Sequence, residues 1–322
     1  MRVLKQVLQV VFLVVFAIVA TTYLIWVPST QEPAYILVKT WGEKGGNPGQ
    51  FNEPTGIALG SDRIFVSDSR NSRIQVFDLD GNFKYLFGER GKAPGQLRRP
   101  MNLRVAGGEL YVAEFFNDRI QVYALDGEFR RSIGRAGSGE GEFSSPGGIA
   151  VAGNGDLFVA DTYNQRLQQL RADGTFVRQW GQTRQAGILD GKLNYPTDLA
   201  FAKDGTLYVG DGYNDRVLAF NPDGSLRYKW GGPFAMNIFG PFNGWFATVT
   251  GISIGPEGNV FVADFYNDRV QKFSPDGKFL NTFGIKSTGP TRTAIAVAAA
   301  DDGSVFVVDY ANQQVQKWRP GK

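Results

Sequence analysis

The chain has 322 residues, enough for one large repeat domain or two ordinary ones, and its 43% apolar and 13% aromatic content can fill a sizeable core. It has no cysteine and no histidine, which excludes disulfides, Cys/His zinc sites and every histidine-based catalytic scheme, and leaves only oxygen-ligated metals such as calcium or magnesium. The net charge is +3, with Arg2 and Lys5 supplying part of it, so the remainder is nearly neutral and no global field favours nucleic acid.

The first element is hydrophobic. Residues 1–9 are basic, and Val10 to Val27 is a run of uncharged, largely apolar residues about 27 Å long as a helix, near the thickness of a bilayer's hydrocarbon. Tyr23 and Trp26 stand where an aromatic belt is expected. Pro28 and the polar run that follows end the helix and make residues 28–34 a linker. A cleaved signal peptide is the competing reading, but Ile18 two residues before Ala20 makes a poor cleavage site and the apolar run continues beyond it. Residues 1–27 therefore read as an uncleaved signal-anchor. Arg2 and Lys5 would keep the N-terminus cytoplasmic, placing residues 28–322 on the extracytoplasmic, periplasmic side.

From residue 35 onward the chain repeats itself. The unit reads Gly-x-Phe/Leu-x-x-Pro, a short apolar strand, an alternating strand ending in Asp, an Asp-x-x-Asn-x-Arg turn, and two more strands around an Asp-Gly turn. The turn motif begins at Asp68, Glu114, Asp161, Asp211, Asp264 and Asp309, a period of 45 to 53 residues. Four short strands at that period are the signature of a β-propeller, here with six blades. The sixth repeat stops after a third strand at Gln314–Trp318, while Tyr35–Gly42 looks like an outer strand without a blade. Pairing the two closes the ring and removes its exposed edges. The fold class is all-β, a six-bladed propeller over residues 35–322 with one N-terminal transmembrane helix.

The segments GQFNEPTGIAL, GEFSSPGGIAV, LFVADTYNQRLQQL and VFVADFYNDRVQKF resemble NHL repeats, and the resemblance covers about residues 35–320. It is specific for fold and not for function, because the family includes protein-binding modules, RNA-binding modules and a zinc-dependent amidating lyase. The lyase relies on histidine ligands and streptogramin-lyase propellers also use histidine, so neither activity transfers to this chain. Gluconolactonase-like propellers hold a divalent cation with acidic and Asn ligands; their position just before the inner-strand glycine aligns with Thr55, Met101, Gly147, Thr197, Thr250 and Thr293, which offer no carboxylate.

The recurring Asp-x-x-Asn-x-Arg motif reads as architecture, since Asp and Asn accept and donate around turns and Arg pairs with the Asp. Departures from the repeat are better guides to function. Phe115 and Phe116 put two aromatics in one such turn, on the face that also carries the blade-to-blade connections, and a binding rim or packing on the next blade would each explain them. At the start of the inner strand the aligned positions are Gly56, Asn102, Gly148, Asp198, Gly251 and Ala294, leaving Asn102 and Asp198 as polar outliers at the channel mouth. The longest connection, 231–250, has no charge and holds Phe234, Met236, Ile238, Phe239, Phe242, Trp245 and Phe246. It reads as a partner-binding surface, with a membrane contact, a channel cap or a small core over its own blade as alternatives. Arg90, Lys92, Arg98, Arg99, Arg130, Arg131, Arg135 and Arg184 make a moderately basic sector. The combined expectation is a membrane-tethered, non-catalytic scaffold for a protein partner, within a larger membrane complex, without metal, cofactor or nucleic acid. The alternative is a cation-dependent hydrolase or lyase.

Overall fold

The computed structural model describes residues 2–189, 191–284 and 294–321. Helix α1, Arg2–Trp26, is followed only by strands and short 3-10 turns. The helix already runs through Arg2 and Lys5, and within it the stretch Leu4–Thr21 has a mean hydropathy of 2.2 with no part of it covered by the propeller. By length and composition it can cross a membrane, a test that a signal sequence near an N-terminus also passes.

Six four-stranded antiparallel sheets follow. Blade I is Pro54–Leu59, Arg63–Asp68, Arg73–Asp78 and Phe83–Phe87; blade II is Pro100–Ala106, Glu109–Glu114, Arg119–Ala124 and Phe129–Ile133. Blade III is Ile149–Val151, Leu157–Asp161, Arg166–Leu170 and Phe176–Gly181; blade IV is Pro196–Phe201, Leu207–Asp211, Arg216–Phe220 and Leu226–Trp230. Blade V is Val249–Ile254, Val260–Asp264, Arg269–Phe273 and Phe279–Gly284. Blade VI takes Ala294–Ala299, Val305–Asp309 and Gln314–Pro320 from the C-terminus and its outer strand, Tyr35–Trp41, from the other end of the chain. Each inner strand packs on the next, and blade VI packs back on blade I, so the ring is closed.

The middle strands are apolar on both faces because both faces are covered. Six hydrophobic clusters lie between neighbouring blades, one per interface. The Phe or Leu of the Gly-x-Phe/Leu motif belongs to this core at Phe51, Leu97, Phe143, Leu193 and Phe246. A single blade could not bury such surfaces alone, which makes neighbours mutually dependent. The Asp-Gly turns have a second task beyond closing hairpins. At Gly81 and Gly127, φ is +77° and +95°, and a Cβ would come within 2.6 Å of Trp41 and Phe87 on the preceding blade. Glycine there both permits the turn and lets the next blade slide under an aromatic ring.

Ring closure follows the expectation from the two incomplete ends. Tyr35–Trp41 pairs antiparallel with Gln314–Pro320, from Tyr35 opposite Pro320 to Trp41 opposite Val315. Tyr35 stacks on Phe283 of blade V at 4.4 Å, and Trp41 packs against Phe77 of blade I and Phe306 of its own blade. The closing strand thus grips both adjoining blades. One register differs from expectation. Ala296 opposes Val308 as Gly251 opposes Ala263, so Ala296 and not Ala294 holds the sixth inner-strand position, and Ile295 precedes it. The segment into blade VI lacks the Gly-x-Phe/Leu-x-x-Pro frame that aligns the other repeats. Thr293 lies outside the described residues.

Candidate functional site

The recurring turn is a clamp. In blade III, Asp161 Oδ1 accepts the Ser144 backbone N–H at 2.7 Å, and Asn164, Arg166 and Gln168 donate to the same carboxylate. The Arg166 guanidinium also donates to the carbonyls of Gly139 and Glu142 in the preceding connection. Arg73, Arg119, Arg216 and Arg269 do the same for their own connections. Burial raises the Asp161 pKa, opposed by the Ser144, Asn164 and Arg166 hydrogen bonds. In blade VI the arginine is Gln314, whose contact to Asp309 is long at 3.4 Å. The clamp carboxylates and guanidinium groups bond within the blade and its preceding connection, so the motif positions the loops; the Asn117 and Asn164 side-chain oxygens are buried without a partner.

By fixing these turns the clamp sets an aromatic rim. The turns Thr162–Asn164 and Gly212–Asn214 are 3-10, each closed by a left-handed residue, and they lift Tyr163 and Tyr213 above the channel. The rings form a chain: Phe115 meets Tyr163 at 5.4 Å, Tyr163 meets Tyr195 at 5.5 Å, and Tyr195 meets Tyr213 at 4.8 Å. Across the hollow, Phe265 packs with Tyr266 and Tyr310. The enclosed space is about 250 Å³. Its floor carries Thr55, Thr197 and Thr250, whose hydroxyls each donate to a carbonyl at the start of the following blade, Pro100, Val249 and Ala294. Those hydroxyl protons are thereby committed to the backbone. Among the described residues, tyrosine phenols are the only ionisable side chains lining the hollow. Phe115 therefore lines the site. Phe116 is exposed beside it, with the Arg98 and Arg99 guanidinium groups over its ring at 5.5 and 5.7 Å.

Below the hollow, the channel is narrow. Gly56, Gly148 and Gly251 abut the backbones of Asn102, Asp198 and Ala296 on the next blade, alternating small with larger around the ring. Asn102 and Asp198 share a cavity of about 170 Å³ with Arg104, which the sequence reading did not single out. Arg104 crosses from blade II to donate to the carbonyls of Ile149 and Leu199. Asp198 is 6% exposed; Oδ2 accepts the Ile252 N–H at 2.9 Å and Oδ1 has no partner. Burial pushes its pKa up to about 6, against the pull of the Arg104 charge and the backbone donors. One carboxylate opposed by a guanidinium is a poor donor set for calcium. Among the described residues no three acidic side chains gather to hold a metal.

The 231–250 connection divides. Phe246 is fully buried against Phe273, which corrects its assignment as a partner contact: it occupies the core position of the Gly-x-Phe/Leu frame. Trp245 is half-buried against Phe242. Phe234, Met236, Ile238, Phe239 and Phe242 remain exposed. Half of the basic sector is paired on the surface, with Arg99 to Glu53, Arg130 to Glu128, Arg131 to Glu109 and Arg135 to Glu142.

A family model, NHL repeat, matches residues 51–77, 143–170 and 246–273. The Drosophila melanogaster protein brain tumor is 48% identical over 48 residues, which is 15% of this chain and 5% of that protein's length. Among solved structures, a protein from Bacteroides thetaiotaomicron superposes with a TM-score of 0.68 at 17% identity, covering 89% of this chain and 76% of that one. A catalytically inactive histidine-to-alanine variant of virginiamycin B lyase from Staphylococcus aureus, with quinupristin, gives 0.58 at 16% identity, covering 88% of each. Likeness at that identity reaches the fold alone. Repeat frame, clamp, inter-blade cores and family match agree: the chain is a six-bladed β-propeller that carries NHL repeats, matched at residues 51–77, 143–170 and 246–273.

Proposed function

We propose that this propeller is a non-catalytic binding module, held to a membrane by α1 with its disc on the extracytoplasmic side, and that it docks an apolar or aromatic segment of a partner protein in the hollow. The observation that carries this reading is the lining itself: a crescent of four aromatic rings over a floor whose threonine hydroxyls already donate to the backbone. Rigid aromatics give contact area at small entropic cost. The lyase variant made inactive by loss of one histidine marks that chemistry as histidine-dependent, and this chain has no histidine. The enzyme alternative would rest on Asp198 alone, with Arg104 beside it. The test is a pull-down from detergent-solubilised membranes with wild type and a Phe115→Ala, Tyr163→Ala double variant. The wild type recovers a partner that the variant loses while its unfolding midpoint stays close to wild type. Equal recovery by the variant would remove the hollow as the docking site, and recovery of the chain alone at every salt tested would remove the scaffold reading.

A further inference from the structure

We propose that the exposed part of the blade IV–V connection, Phe234–Phe242, is a second membrane contact that lies in the interfacial layer beside α1. The inference rests on the anchor reading of that helix. Its basis is where the linker goes. Residues 28–34 would be long enough to let the disc swing, but they are fastened along blade V. Asn243 Nδ2 donates to the Pro28 carbonyl at 3.0 Å, the Gln31 N–H to Leu280 O at 2.7 Å, and Asn281 Nδ2 to Pro33 O at 2.6 Å. Lys272 pairs with Glu32 at 2.8 Å. Helix α1 ends at Trp26, so the chain leaves the helix within two residues of a hydrogen bond to this very connection.

The connection suits that place chemically. It holds no charged residue, and Phe234 and Phe239 are each 71% exposed, with Met236 and Ile238 beside them. Three non-glycine residues, Phe234, Ala235 and Asn237, sit at φ of +57°, +51° and +58°. Such backbone is maintained against strain, and here it turns Phe234 outward while the neighbouring Ala235 is buried. The equivalent connections between the earlier blades are polar and charged, as at Arg135–Glu142. An uncharged aromatic and aliphatic loop at the point where the chain meets a bilayer matches the composition of interfacial anchors. Its occupant is therefore the lipid surface, argued from continuity with the helix, and not a soluble protein.

The chain lacks cysteine, so single cysteines can report on position. The full chain is reconstituted in phosphatidylcholine–phosphatidylglycerol vesicles with a fluorophore at Val14→Cys, Phe239→Cys or Glu128→Cys, the last on an exposed turn of blade II. Nitroxide placed deep in the acyl chains should quench the label at 14. Nitroxide placed near the headgroups should cost the label at 239 roughly half its emission, as expected for a side chain at the interfacial boundary, and leave the label at 128 unchanged. If the label at 14 is quenched and that at 239 behaves like that at 128, this inference falls and the anchor stands. If the label at 239 is shielded from both lipid nitroxide and aqueous iodide, the loop is covered by protein and the lipid reading is overturned. If the label at 14 is not quenched, the anchor reading itself fails and takes the inference with it.

Discussion

Replacing Arg166 with glutamine tests whether the clamp is architecture. Arg166 is 2% exposed, its Asp161 partner is fully buried, and the guanidinium reaches Asp161, Gln179, Thr183 and two loop carbonyls. Breaking a buried ion pair by removing one member costs about 3–5 kcal/mol, because the remaining charge stays desolvated. Two features reduce the figure here. Asp161 keeps donors from Ser144, Asn164 and Gln168, and Gln168 still satisfies the Glu142 carbonyl. A glutamine can also return one weak bond, as Gln314 does in blade VI. The expected loss is about 3 kcal/mol, at the lower end of that range. Adding Asp161→Asn removes the stranded charge and should recover about 2 kcal/mol, measured as a double-mutant cycle. The assay is urea unfolding of the detergent-solubilised chain by tryptophan fluorescence, read at the first transition because neighbouring blades need not unfold together. A loss below about 0.5 kcal/mol, or loss of partner capture at unchanged stability, would refute the structural role.

Two further outcomes follow from named groups. With a folded pKa of about 6 against an ordinary Asp value near 4, Asp198 binds more protons in the folded than in the unfolded chain between those limits, so its contribution to stability falls as pH rises through that window and levels off above it. Asp198→Asn should accordingly stabilise at pH 7.5 by up to about 3 kcal/mol and give little at pH 4; an equal gain at both, seen in paired urea titrations, would show that charge is not the cause. Trp41→Ala should cost about 3–5 kcal/mol, since its ring fills the space between blades VI and I and receives the Gly81 turn; a cost below 1 kcal/mol would mean the N-terminal strand does not close the ring.

Local chemistry made most of the fold legible. The Asp-x-x-Asn-x-Arg turn and the Asp-Gly turn are short signals that need no knowledge of the rest of the chain, so blade number and ring closure could be read directly. The glutamine two residues beyond the clamp arginine, as in Gln75, Gln121, Gln168 and Gln271, was equally visible in the repeat and completes the carboxylate's shell. Blade VI was misaligned by two residues because its frame-setting glycine and proline are missing. Arg104 escaped notice because only the strand register decides which inner-strand side chains enter the channel. Tyr195 belongs to a connection rather than a repeat turn, so its place in the aromatic chain depends on how blades III and IV dock. Hydrophobicity alone could not separate Phe246 from Phe239; the Gly-x-Phe/Leu frame could have, since it puts Phe246 in line with Phe143.

Closure by the two ends has a cost in time. Tyr35–Trp41 leaves the ribosome early, yet its partner strand is synthesised roughly 280 residues later, one of the longest sequence separations the chain could contain. Until Gln314–Pro320 arrives, a strand carrying Tyr35, Ile36, Leu37, Val38 and Trp41 has no ladder to join, and such an edge invites pairing with other nascent chains. The five complete blades can form by local hairpins in the meantime, so the slow step is a single search by one strand. A substitution that weakens a middle blade would then act at a distance, prolonging the open ring and the exposure of its waiting edge.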